Sequence, residues 1–189
     1  MLNFQARMRG AAADAAIELT RLDAPGRRHV STQSVGTPLL QKLGVRAGHT
    51  ALLVGVPESV YELDGFTDFE DRTDVPSLAA LELAVACSLG PFDYIHVFEA
   101  DAGLLETEIT SLRDAMAPDG MLWVSWPKRA SGVATSLTED VIRAIAIDAG
   151  LVDVKVCAVD QVWSGLKLVI PRDQRPKQSY RAGQIRRLT

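Results

Sequence analysis

Cysteine is scarce in this chain, with two residues among 189, Cys87 and Cys157. Two thiols cannot build the disulfide framework of a small secreted scaffold. Each sits inside an apolar segment, where a free, buried thiol is expected. The three histidines, His29, His49 and His96, lie far from one another and from the cysteines. A structural zinc site wants such ligands at short spacings, so no metal site is expected. Long apolar runs are also missing. None approaches the ~18–20 residues that span a bilayer. The most apolar stretch near the start, Ala11–Leu19, contains Asp14 and Glu18, which the apolar region of a secretory signal would exclude. The chain therefore reads as cytoplasmic, without a membrane segment.

Positive charge is scarce in the middle of the chain. Residues 31–170 carry nine basic and twenty acidic side chains, a net −11, whereas residues 1–30 carry +2 and residues 171–189 carry +5. An acidic body argues against a nucleic-acid binder. The basic tail either touches an anionic partner or keeps the chain soluble. The hydrophobic fraction of 47% is ordinary for a globular protein. The length suits one domain of roughly 100–200 residues plus tails.

Three segments follow from the local pattern: an N-terminal extension (1–36), a folded domain (37–170) and a basic, disordered tail (171–189). The extension is rich in Ala and Arg, with helix propensity over Ala11–Leu22 but little apolar area, so it is expected to be mobile or loosely docked. Met8 offers an alternative start. The domain opens at Thr37-Pro38, a good N-cap and first helical residue, and Gly44 ends that helix. Thr50–Val56 is a continuous apolar run, as in a strand buried on both faces of a parallel sheet. Pro57–Leu63 reads as a short helix, and residues 64–75 as acidic turns with at most a short strand at Gly65–Phe69. Pro76–Leu89 reads as a helix and Phe92–Phe98 as a strand. Ala102–Met116 reads as a helix, Pro118-Asp119-Gly120 as a turn, and Met121–Trp126 as a strand. Ser136 and Glu139 have the spacing of a capping box for a helix ending at Gly150. Leu151–Val159 and Trp163–Ile170, joined by three residues, can only be antiparallel neighbours. Pro171 ends the pattern. Alternating strands and helices argue for a parallel sheet with helices on both faces.

This order resembles class I methyltransferases, in which a parallel sheet finishes with an antiparallel strand. The run Leu112–Trp126, L-R-D-A-M-A-P-D-G-M-L-W-V-S-W, looks like their helix, Pro-Gly turn and following strand. A closer resemblance is to a bacterial family catalogued as domain of unknown function 3052. It is carried by Val124–Arg143, V-S-W-P-K-R-A-S-G-V-A-T-S-L-T-E-D-V-I-R, and by Leu151–Val169, L-V-D-V-K-V-C-A-V-D-Q-V-W-S-G-L-K-L-V. The fold class implied is α/β: a truncated methyltransferase-like open sheet, mainly parallel, with a C-terminal antiparallel hairpin.

The sequence departs from a working methyltransferase in two places. The loop after the first strand should carry an acidic residue and several glycines, because a glycine backbone can lie against the adenosylmethionine where a Cβ could not. Here it reads Val54-Gly55-Val56-Pro57-Glu58-Ser59: one glycine remains, and Pro57 removes an N–H. Second, residues 57–91 are too few for the two strands and their helices that a full fold places there, at roughly 25–30 residues per βα pair. One unit is missing or vestigial. The acidic residue that holds the ribose would have to be Asp68, Glu70 or Asp71, or those residues form a solvated acidic surface.

In open α/β sheets, ligands bind outside the carboxyl ends of the parallel strands. That rule selects Val56–Ser59, Glu99–Asp101 and Pro127–Gly132. The candidate ligand-binding residues are Gly55, Glu58, Ser59, Glu99, Asp101, Trp126, Lys128, Arg129, Ser131 and Gly132. Lys128 and Arg129 precede a helix N-terminus, where an anion is favoured, or they pair with Glu99 or Asp101. Trp126 and Trp163 offer flat faces for a ligand, or they pack in the core. Ser164-Gly165 suggests a bulge or a close backbone approach, and Lys167 alternates with leucines and is expected to face solvent. Ser125 and Ser131 have no evident histidine partner, and His96 reads as a satisfied sheet residue. No catalytic residue is expected. The function implied is a non-catalytic methyltransferase-like domain that binds a small anionic ligand or a protein partner. The alternative is a divergent methyltransferase, and adenosylmethionine is a cofactor only under it.

Overall fold

A computed structural model of the chain describes residues 37–82 and 90–175. The expectations for residues 1–36, for Cys87 and the later part of the helix begun near Pro76, and for the tail beyond Arg175 lie outside the described residues.

Six strands form one sheet: β1 (Thr50–Val54), β2 (Asp71–Val75), β3 (Phe92–Phe98), β4 (Met116–Pro127), β5 (Val152–Ala158) and β6 (Trp163–Val169), in the order β2-β1-β3-β4-β6-β5. The first four are mutually parallel, and β6 runs antiparallel to both β4 and β5. This is the truncated methyltransferase-like, Rossmann-type open sheet with its C-terminal hairpin. Between β1 and β3 a full sheet would insert two strands; among the described residues this one inserts β2.

The chain steps one way from β1 to β2 and the other way from β2 through β3 to β4. Right-handed crossovers therefore place the connections on opposite faces. On one face Val60 and Leu63, with Leu43 of α1 (Leu39–Leu43), pack against Ala51, Leu53, Tyr94 and Trp123. On the other, Leu78 and Leu81 join α3 (Ala102–Asp114) and α4 (Glu139–Asp148) against Leu52, Val54, Ile95 and Val97. Alternate residues of β1 thus serve opposite cores, which is why its run is apolar throughout. In α3 the buried residues are Leu105, Ile109 and Leu112, one stripe at helical spacing.

Several local expectations are corrected. The strand in the acidic segment is Asp71–Val75, not Gly65–Phe69. It pairs only with β1 and so borders the sheet, and a border strand needs no apolar run. The expected short helix at Pro57–Leu63 is present, as a 3₁₀ turn, Glu58–Val60, that continues into α2 (Tyr61–Asp64). Pro118-Asp119-Gly120 does not turn the chain but bulges inside β4, where Phe92 faces Met116 and Tyr94 already faces Met121. A Cβ on Gly120 would lie 2.8 Å from the Phe92 carbonyl oxygen, so the extra residues fit only with glycine there. Ser136 does not cap its own helix. Its hydroxyl accepts from the Ala102 N–H at 2.8 Å, at the start of α3. Thr138 caps α4 instead, accepting from the Val141 N–H, while Glu139 pairs with Arg143. Cys157 is half-buried rather than buried, because β5 is the other border of the sheet.

Candidate functional site

The carboxyl ends of β1, β2, β3 and β4 gather the three loops singled out above. After β1 the chain turns at Gly55, with φ +65° and its N–H donated to the Val75 carbonyl at 2.8 Å. A Cβ at Gly55 would stand 3.0 Å from the carbonyl oxygen of Phe98, at the end of β3. Beside the switch point between β1 and β3, where an open sheet offers its crevice, the loop backbone therefore packs on the end of β3 and leaves no room for a side chain. The remaining glycine of the loop serves chain packing.

Beside it, Leu53, Gly55, Val56, Asp64, Asp74, Val75 and Pro76 line a shallow, open cleft of about 320 Å³. Its carboxylates are already engaged. Arg72 reaches Asp74 through Nε and Nη2, both at 2.8 Å, and Asp64 through Nη2 at 2.8 Å. The hydrogen bonds donated to Asp74 lead in holding the guanidinium above its usual pKa. Asp68 and Glu70 precede β2 and Asp71 begins it, at its amino end, away from this cleft. The acidic residue at the carboxyl end of β2 is Asp74, which was not among the candidates from sequence. Its signal was available: Arg72 is the single base among seven acids from Glu58 to Asp74.

The other loops meet through Asp160, in the turn between β5 and β6. One carboxylate oxygen accepts from the N–H groups of Val162 and Trp163 at 2.7 and 2.6 Å, an Asx turn. The other accepts from the Ser59 hydroxyl at 2.7 Å. The Asp160 carbonyl accepts from the Lys128 ammonium. Ser59 and Lys128, distant in sequence, are thus joined by a residue that was not singled out. Ser131 closes a 3₁₀ turn, its hydroxyl donating to the Lys128 carbonyl at 2.7 Å, and Gly132 follows with φ +74°. Arg129 is exposed and forms no ion pair among the described residues, and Glu58 is exposed on the first loop.

Glu99 and Asp101 do not pair with these bases. Glu99 accepts from the N–H groups of Ala100 and Asp101, and Asp101 caps α3 by accepting from the Leu104 N–H at 3.0 Å. Trp126 is 8% exposed and packs in the core with Val124 and Leu166. Trp163 meets Phe98 edge to face, with ring centroids 5.3 Å apart.

One histidine–serine pair does exist. His96 Nε2 lies 2.8 Å from Ser125 Oγ, and His96 Nδ1 lies 2.8 Å from Tyr94 Oη. Ser125 has no evident histidine partner in the sequence because the two meet across neighbouring strands, which linear spacing does not reveal. All three residues are fully buried. A Cβ on Gly165 would come within 3.1 Å of Ser125 Oγ, so the hydroxyl is also covered. Burial lowers the His96 pKa from 6.5 to about 3. Each hydroxyl can donate or accept, so both ring nitrogens are satisfied while the imidazole stays neutral. No substrate reaches this pair, and it belongs to the fold.

No protein-family model and no curated protein matches the chain. Among solved structures it is similar to the magnesium protoporphyrin IX methyltransferase of Synechocystis PCC 6803 with bound SAM, at 14% identity, TM-score 0.46, over 70% of this chain and 74% of that one. It is similar at 14% identity and TM-score 0.46 to a ribosomal protein L11 methylase from Lactobacillus delbrueckii subsp. bulgaricus, covering 70% and 76% of the two chains. A glycopeptide N-methyltransferase, MtfA, complexed with sinefungin is similar at 13% identity and TM-score 0.45, over 70% and 83%. These are methyltransferases; the fold assignment itself rests on the strand order and directions given above.

Proposed function

We propose that this is a non-catalytic, methyltransferase-like domain that binds a small anionic ligand or a protein partner at the carboxyl end of its sheet. The observation that carries this reading is the loop after β1 and the cleft beside it. Gly55 abuts the Phe98 carbonyl, and the acids of the adjoining cleft are held by Arg72. The ligand site comprises Ser59, Lys128, Arg129, Ser131 and Gly132, drawn together by Asp160. Glu58 lies at its rim, while Glu99 and Asp101 hold the start of α3. Arg129 supplies an exposed guanidinium that matches carboxylate or phosphate geometry. No histidine stands there to move a proton. Membership of the family called domain of unknown function 3052, a bacterial source and a cytoplasmic location fit this reading and rest on the phrases quoted above.

Native mass spectrometry of gently purified protein tests it without guessing the ligand, and calorimetry with adenosylmethionine tests the cofactor directly. A bound species lost on R129Q, with no adenosylmethionine binding, supports the proposal. Stoichiometric adenosylmethionine would overturn it. One observation favours the alternative of a divergent methyltransferase: Gly55 and Asp74 line the same open cleft. That reading requires Arg72 to release Asp74, so R72Q should then raise adenosylmethionine affinity.

A further inference from the structure

Of the nine bases in residues 31–170, three arginines are paired with carboxylates: Arg72, Arg113 and Arg143. Lys128 and Arg129 belong to the loop described above. The remaining four, Lys42, Arg46, Lys155 and Lys167, gather beside α1, on the sheet face opposite α3 and α4. Lys155 and Lys167 are direct partners in the β5–β6 ladder, and like charges in that relation repel. The Lys155 ammonium donates to the Lys42 carbonyl in the last turn of α1 at 2.7 Å. A Cβ on Gly44, two residues later, would lie 4.0 Å from Lys167 Nζ. Both ammoniums therefore converge on the end of one short helix.

The rest of the surroundings is also cationic. Lys167 is half-buried, and burial, Lys155 and Arg46 together lower its pKa. His49, at the end of the same loop as Arg46, has a buried Nδ1 with no hydrogen-bond partner. Asp93 is the acid that acts on His49, and it is itself bonded to the Thr50 N–H and hydroxyl. No ion pair reaches any of the four bases among the described residues. The carbonyl end of α1 accounts for Lys155, but one five-residue helix does not account for four cations.

We propose that Lys155 and Lys167, flanked by Arg46, Lys42 and His49, form a binding site for a phosphate group. A phosphate carries nearly two charges and three acceptor oxygens, enough to bridge both ammoniums, whereas a carboxylate brings one charge. The site lies toward the amino ends of the parallel strands, since Arg46 and His49 precede β1. It is independent of the carboxyl-end loops.

The full chain is titrated with inorganic phosphate, pyrophosphate and a nucleoside diphosphate, by calorimetry and by amide chemical shifts. Saturable binding that weakens with added salt is expected. The K155Q/K167Q pair should lose about tenfold or more in affinity, as charged hydrogen bonds are removed. R113Q, which removes an arginine paired with Asp114 on α3 at the opposite face of the sheet, should leave it unchanged. Equal affinity for pyrophosphate and the nucleotide means that phosphate alone is read; tighter nucleotide binding means that a nucleoside is read as well, and either supports the site. In phosphate-free buffer K155Q/K167Q should melt no lower than the parent, which shows that it is folded. Absence of saturable binding, or affinity and amide shifts indifferent to K155Q/K167Q, would each overturn the proposal.

Discussion

Acid should unfold this domain through one residue that touches no ligand. The unfolded chain takes a proton at His96 as pH falls through 6.5, while the folded chain refuses it until about 3. Between those values the unfolded state binds more protons, so stability is complete above pH 6.5 and declines with acidification. The slope is about 1.4 kcal/mol per pH unit. Relative to its value well above pH 6.5, the loss is about 3 kcal/mol at pH 4.5 and about 4 kcal/mol at pH 3. That is a large share of the ~5–15 kcal/mol that typically holds a domain together. His96 is fully buried, so solvent does not weaken the effect. Urea unfolding followed by tryptophan fluorescence measures it, because Trp123 is fully buried and Trp126 nearly so. The comparison is with H96Q, whose amide can still meet both hydroxyls but does not titrate. H96Q should lose about 1–3 kcal/mol at pH 7 from imperfect hydrogen bonds, and the gap should close as pH falls toward 4.5. His49, also lowered mainly by burial, is common to both proteins and cancels. Parallel curves, or an NMR titration of the His96 ring near pH 6.5, would refute the reasoning.

Other outcomes follow from single contacts. G55A forces a side chain into a left-handed conformation against the Phe98 carbonyl, and should cost about 1–3 kcal/mol in urea unfolding. Glycines placed at Pro57 and Glu58 should produce no adenosylmethionine binding in calorimetry, because Gly55 stays packed on the Phe98 carbonyl and Arg72 holds Asp64 and Asp74. D160A should cost about 1.5–3 kcal/mol through its two N–H partners, with a shift in Trp163 fluorescence. T138A should lower stability by about 1 kcal/mol as a lost N-cap; if S136A proves the costlier of the two, the assignment of the caps is wrong.

The elements read most easily from sequence were those whose environment is uniform along their length. β3 begins and ends where its apolar run does, at Phe92 and Phe98. Leu166 and Leu168 were legible as buried because they alternate, although Lys167 between them faces a second packed layer rather than open solvent. What sequence hid were relations between distant segments. β2 reads as an acidic loop because a single neighbour strand supplies its hydrogen bonds. Pro118-Asp119-Gly120 has the composition of a turn, and only the register against Phe92 and Tyr94 reveals a bulge. The partners of Ser125, Ser59 and Lys128 arrive across the sheet or from the hairpin turn. The loops that form the candidate site were selected by topology, whereas Asp160, which joins them, bears no chemical signature beyond an Asx turn.

Among the described residues β2 is one border of the sheet, and the hairpin makes β5 the other. An open border is a template on which another chain can add a strand. The two are guarded unequally. β2 presents Asp71, Arg72 and Asp74, charges that resist such growth. β5 interrupts its ladder between Asp153 and Lys155, yet Val152, Val154 and Val156 stand 39%, 54% and 44% exposed. High salt, which screens Lys155 and its neighbours, removes much of what separates two such borders. Self-association of this protein, and the first step of its aggregation when concentrated, should therefore begin at the hairpin, and a charge placed at Val154 should delay it.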